Sequence, residues 1–150
     1  MQFFNLHTHK FSNNPNILEL VNQYPWEFDA AIPNYSIGIH PWHIQENRLE
    51  SDLKIIEEKL QLKECLALGE CGLDKRIEIP MEFQIELFEK QIQLAEKYQK
   101  PLVLHLVAAF DELIAKVNDK SVENRAKHLK GVYKSLEDKA SAIVEKINGL

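Results

Sequence analysis

Apolar positions along the 150-residue chain fall into short runs that alternate between two periods. "QFFNLH", at the start, is a short apolar run of the kind that forms a buried strand. "NILELVN" (16–22) alternates apolar and polar residues, as a second strand or one helical turn would. "QYPWEFDAAIPN" holds two prolines and reads as a connection. "YSIGIHPW" (35–42) is a β-rich run ended by Pro41, with Gly38 permitting close backbone approach. Leu49, Leu53, Ile56 and Leu60 then recur at helical spacing. "ECLALGECGLD" (64–74) reads as a strand that runs into a Gly-containing turn. Ile85, Phe88, Ile92 and Ala95 mark a second helix over 81–99, preceded by Pro80. "KPLVLHLV" (100–107) is a strong buried strand opened by Pro101, and Phe110, Leu113, Ile114 and Val117 mark a third helix. Strand–helix alternation of this kind predicts an α/β fold with a parallel sheet and right-handed crossovers. In such sheets the chemistry sits at the carboxyl ends of the strands.

The pattern changes near Asn118. Residues 121–148 read as one long helix, with Ser121 as N-cap and Asn148-Gly149 as the stop. Val122, Ala126, Leu129, Tyr133, Leu136, Ala140, Ile143 and Ile147 are spaced alternately by four and three, a heptad register. Gly131 interrupts it at a cost of about 1 kcal/mol relative to Ala. The stripe predicts packing either on the chain's own sheet or on a partner chain. Charge changes at the same junction: residues 1–118 hold 11 Lys+Arg against 18 Asp+Glu, and residues 119–150 hold 7 against 5. A domain comprising residues 1–118 and a helical tail comprising 119–150 are therefore expected.

The totals narrow the function classes. No apolar run approaches the roughly 18 residues of a membrane span, and "MQFFNLHTHKF" lacks the basic and apolar regions of a secretion leader. Cys65 and Cys71 are too few and too close for a disulfide framework, which fits a reducing, cytoplasmic setting. The net charge of −5 argues against broad electrostatic attraction to nucleic acid or anionic membrane. A nucleic acid can still be a substrate where a local pocket supplies metal.

The candidate chemistry lies at strand ends. His7 and His9 are one residue apart, so in an extended strand their imidazoles project from one face toward one point. His40 follows "YSIGI", Glu70 follows "LALG", and His105 follows "PLVL". A lone strand-end His or Glu is more often hydrogen-bonded structure than a ligand. Four strands delivering metal-type ligands to one edge reverse that reading. Trp26 and Trp42 are read first as core packing and second as flanks of the pocket, and Cys71 as buried apolar filler.

"NLHTH", "GIHPW", "GECGLDK", "FQIELFEKQIQLAEKY" and "KPLVLH" stand in the order found in TatD-like metal-dependent hydrolases, which the chain resembles over residues 1–118. These deoxyribonucleases of the amidohydrolase superfamily have TIM-barrel folds and two-metal sites. The resemblance implies that His7 and His9 bind one metal, that Glu70 bridges two, and that His105 binds the second. It implies that His40 lines the substrate pocket near the phosphate, so that Glu70 and His40 carry the catalysis. The metals expected are Zn, Mn or Mg, the reaction is phosphodiester hydrolysis, and the substrate is DNA.

The chain also departs from the family's pattern. Family members continue with three more strands bearing a further His and a water-activating Asp, whereas no apolar β run follows residue 107 here. Asp74, Asp111 and Asp119 are the acids that could return to the site, and none has the family's context; Asp74 reads as fixing the loop beyond Glu70. His128 reads as a surface helix residue. "LVAAF" after His105 supplies no basic phosphate clamp. The expectation is a partial TIM barrel of about five parallel strands plus a long amphipathic helix, made by natural truncation or by engineering. Its activity would be reduced or absent, with a residual site at His7, His9 and Glu70. Open edges and an apolar interior favour a homo-oligomer, most simply a dimer.

Overall fold

The computed structural model describes residues 3–118. Five strands form one sheet: β1 (Phe3–Thr8), β2 (Ile17–Gln23), β3 (Tyr35–Ile37), β4 (Cys65–Asp74) and β5 (Leu102–Val107). They lie side by side in chain order, and every neighbouring pair is parallel. This is the parallel sheet expected from strand–helix alternation, and the half-barrel that the family resemblance implied. Helix α1 (Leu49–Leu60) connects β3 to β4, and α2 (Met81–Lys97) connects β4 to β5. α3 (Phe110–Asn118) follows β5 and opens a second compact unit, which begins at Phe110. The heptad stripe, His128 and Asp119 lie outside the described residues.

The core forms where apolar strand faces meet the helices. Tyr35 and Ile37 of β3, Leu68 and Leu73 of β4, and Ile56 and Leu60 of α1 are all at most 1% exposed. On α2 the buried face is Gln84, Leu87, Phe88, Gln91, Ile92 and Ala95. Two of these six are glutamines, which apolar periodicity alone does not put inside.

Three local findings place the chemistry. "NILELVN" forms a strand rather than a helical turn. β4 and β5 run past Glu70 and His105 to Asp74 and Val107, so "GECGLD" is strand and the turn comes after it. Glycine makes this continuation possible: Gly72 has φ +144°, and a Cβ there would lie 2.1 Å from the His105 carbonyl oxygen. Gly38 permits the close approach expected of it, since a Cβ there would meet Gly69 Cα at 2.7 Å.

Candidate metal centre

Two ladder irregularities aim the side chains. In the β1–β2 ladder the register shifts between Asn5 and Thr8, a stretch that includes His7. In the β4–β5 ladder Gly69 pairs with Val103 and Cys71 with Leu104, leaving Glu70 as the extra residue of a bulge. A bulge releases one residue from the pleat's alternation and redirects its side chain.

Glu70 then divides its carboxylate between two sets of histidines. Its Oε2 lies 3.3 Å from His7 Nε2 and 3.6 Å from His9 Nε2. Its Oε1 lies 3.3 Å from His105 Nδ1 and 3.9 Å from His40 Nε2. The donor atoms of His7, His9 and Glu70 fall within 4.8 Å of one another, as do those of His40, Glu70 and His105. Two tetrahedral ligands each about 2.0–2.2 Å from one zinc ion stand roughly 3.4 Å apart, so these separations fit donors sharing a cation. A carboxylate with one oxygen toward each set also fits a bridge between two cations.

The next layer of contacts decides which nitrogen each ring offers. Asp74 is buried, and its Oδ2 accepts from Trp42 Nε1 at 2.7 Å while lying 3.0 Å from His105 Nε2. Burial pushes the Asp74 carboxyl upward, but hydrogen bonds from Trp42, His105 and the Arg76 backbone outweigh it and hold the group down at about 2. The carboxylate therefore accepts from His105 Nε2–H, which leaves Nδ1 as the ring nitrogen facing Glu70. This is the carboxylate–histidine pairing that orients metal ligands. Asp74 Oδ1 also accepts from the Arg76 backbone N–H at 2.8 Å, so the acid fixes the loop as expected and orients His105 as well.

His40 has the opposite arrangement. Its Nδ1 accepts the Trp42 backbone N–H at 3.1 Å, which puts the neutral ring's proton on Nε2, the atom facing Glu70. Burial, then the nearby His105, lower its pKa to about 4. A neutral ring with Nε2–H is a hydrogen-bond donor, not a metal ligand, although its position completes the second donor group.

Several supporting residues were not singled out in the sequence. Gln91 of α2 accepts the Ile39 N–H at 2.8 Å and donates to the Ile39 carbonyl at 3.2 Å, holding the backbone beside His40. Gln84, two turns earlier, accepts the Asp74 N–H at 2.8 Å and donates to the Asp74 carbonyl at 3.0 Å. Glu19 of β2 accepts from both the backbone N–H and the Oγ of Ser12 at 2.9 Å, tying down the loop after His9. The Glu70 backbone N–H donates to Asn22 Oδ1. The signal for the glutamines was their seven-residue spacing along the buried face of α2.

The aromatic residues occupy two sides. Tyr24 stacks on Trp26 at 4.9 Å and on His9 at 6.4 Å, and the Arg48 guanidinium lies 3.7 Å over the Trp26 ring. Trp26 is thus half-buried between Tyr24 and Arg48 rather than in the core. Trp42 departs further from the core packing expected of both, being 61% exposed, because its indole N–H is held at the Asp74 end of the site. Cys71 is buried, its Sγ 3.7 Å from the Val103 carbonyl, as apolar filler. Asp111 lies at the start of α3, and among the described residues it joins neither donor group.

A parallel half-barrel that gathers histidines around one carboxylate is an arrangement able to hold metal ions, and comparison with known proteins makes the family specific. A family model described as TatD related DNase matches residues 1–147, and the chain belongs to this family of metal-dependent hydrolases and nucleases. The match extends past the junction near Asn118. The 3'-5' ssDNA/RNA exonuclease TatD of Erwinia billingiae is 37% identical over 82 residues, covering 52% of this chain and 30% of that protein. The human 3'-5' RNA nuclease TATDN2 is 35% identical over 81 residues, covering 53% of this chain and 10% of that protein. The metal-dependent hydrolase YabD of Bacillus subtilis is 28% identical over 107 residues, covering 71% of this chain and 39% of that protein. The chain spans less than half the length of these curated relatives. The crystal structure of YJJV, a TatD homologue from Escherichia coli K12, shares the fold at a TM-score of 0.64 and 17% identity. It covers 87% of this chain and 65% of its own.

Proposed function

We propose that the chain carries the cation-holding part of a phosphodiester hydrolase site acting on a nucleic-acid strand. His7, His9 and Glu70 would hold one divalent cation, and Glu70 with His105 a second. The observation that carries this reading is the division of the Glu70 carboxylate, each oxygen lying 3.3 Å from a histidine nitrogen of a different set. Imidazole-rich donors favour Zn²⁺ over Mg²⁺ and Mn²⁺, which suit oxygen donors, and the shared carboxylate keeps Mn²⁺ a candidate. When bound, such cations lower the pKa of a water and neutralise charge on the phosphoryl oxygens. The chain's own groups do the rest: Asp74 keeps the His105 lone pair aimed at the site, and His40 presents Nε2–H to a phosphoryl oxygen.

Two of the relatives are named for action on single-stranded DNA or RNA, which supports a strand end as substrate. We propose that turnover by these 150 residues is slow. Among the described residues each cation has at most three protein donors, and the adjoining Asp74 carboxylate is engaged by His105, Trp42 and Arg76. The test pairs metal content per chain with hydrolysis of an end-labelled single-stranded oligonucleotide, for the wild type, Glu70→Gln and a His7→Ala/His9→Ala double variant. Bound zinc or manganese that is lost in the double variant, with slow cleavage lost in Glu70→Gln, is the expected result. A metal-free wild-type protein that stays folded overturns it.

A second reading, a self-associating module that keeps a metal site without turnover, draws on Phe3 and Leu6. These are 58% and 59% exposed on the edge strand β1. Mass in solution at several concentrations checks it, and a monomer throughout removes the case for a dimer.

A further inference from the structure

We propose that Trp42 is a stacking platform for a nucleobase of the strand whose phosphate enters the candidate metal centre; this rests on the hydrolase reading above. Large aromatic side chains are normally mostly buried, because each carries much apolar surface. Trp42 is 61% exposed and yet fixed at three points. Its indole Nε1–H donates to the buried Asp74 at 2.7 Å, its backbone N–H donates to His40 Nδ1 at 3.1 Å, and it follows Pro41 in a short 3-10 turn. Its ring meets those of His40 and His105 at steep angles, with centroids 5.3 Å and 5.9 Å away. An indole so held has little rotamer freedom left to lose when something stacks on it.

The position selects the occupant. Trp42 adjoins the histidines that face Glu70, so a group seated on it is within one nucleotide of a phosphate at the site. Trp26 offers no such platform, because Tyr24 stacks on it and Arg48 covers it. Among the described residues no ring stacks parallel to Trp42. The net charge of −5 leaves little general attraction for a phosphate backbone, so the grip on a strand must come from the cations and from stacking. Every base has a π-face, which makes this contact tolerant of sequence, and only unpaired or terminal bases expose that face.

The chain has two tryptophans, so Trp26→Phe leaves Trp42 as the sole indole reporter. Fluorescence of the metal-loaded protein is titrated with a cleavage-resistant phosphorothioate DNA single strand and with the same backbone carrying abasic sites. The base-bearing strand quenches Trp42 saturably and binds roughly ten- to a hundredfold more tightly than the abasic one. Measured by strand anisotropy, Trp42→Leu abolishes that difference, and Trp42→Phe, which keeps a ring but lacks the N–H, retains most of it. Equal binding of the two strands, or a difference that survives in Trp42→Leu, overturns the platform while leaving the hydrolase reading intact. Failure of both strands to bind the metal-loaded wild-type protein overturns both.

Discussion

Asp74 does more for the chemistry than its place in a turn-like motif implies. Its carboxylate accepts from Trp42, the Arg76 backbone and His105, and through His105 it sets which nitrogen faces Glu70. Asp74→Asn removes the charge and places an amide N–H against one of these donors. We expect metal affinity to fall about 10- to 100-fold, read by competition with a chromophoric chelator; unchanged affinity sinks the orienting role. His40 should behave differently. His40→Asn keeps the bound metal but lowers hydrolysis about 10²- to 10³-fold, since a single donor to developing charge is worth that much. Parallel loss of metal would make His40 a ligand instead. The H-x-H pair was legible in the sequence because strand alternation is local; the Asp74–His105 contact was not, because 31 positions separate the partners. Cys65 and Cys71 are both buried, and burial pushes the Cys65 thiol up to about 11. Neither should react with Ellman's reagent at pH 8 in the native protein, and both should react once it is unfolded.

Helix α2 was placed correctly by its apolar spacing, but that spacing missed what the helix holds. Gln84 and Gln91 are each 1% exposed and each grips both backbone groups of one residue, Asp74 and Ile39. Replacing Gln91 by Leu leaves a buried N–H and a buried C=O without their partner, at about 1–3 kcal/mol each. The denaturation midpoint should drop accordingly, with His40 displaced; a midpoint within error of wild type removes this role. Glutamine in a helix reads as solvent-facing by composition, and its burial is visible only when the strand ends beneath it are known. The extent of β4 was missed for a related reason. Gly72 resembles turn punctuation, yet it serves the close approach of β4 to the His105 carbonyl. Gly72→Ala must shift the backbone at that point, so loss of about 1–3 kcal/mol of stability together with weakened metal binding is expected from thermal melts and metal titration.

Among the described residues, the donor groups come from the end of β1, the β3 connection, β4 and β5, so on the hydrolase reading a cation would add a further tie between these strands. Binding to the folded form alone stabilises it by about 2.7 kcal/mol when the free metal is a hundred times its dissociation constant. Chelation should therefore lower the melting temperature of the wild type by several degrees and leave the His7→Ala/His9→Ala variant unmoved. An equal response from both would place the stabilising metal elsewhere.

Local sequence was enough for most of the strands and helices, the parallel sheet, and the strand-end positions of His7, His9, His40, Glu70 and His105, because hydrophobic period and strand-end position are properties of neighbouring residues. The family followed from the same ordered motifs. Long-range packing alone could assign the details: the bulge that frees Glu70, the division of its two oxygens, the tautomers of His40 and His105, the buried glutamines and the exposure of Trp42. Each of these depends on groups brought together from different strands and helices. Contacts between such distant residues leave no periodic trace along a single chain.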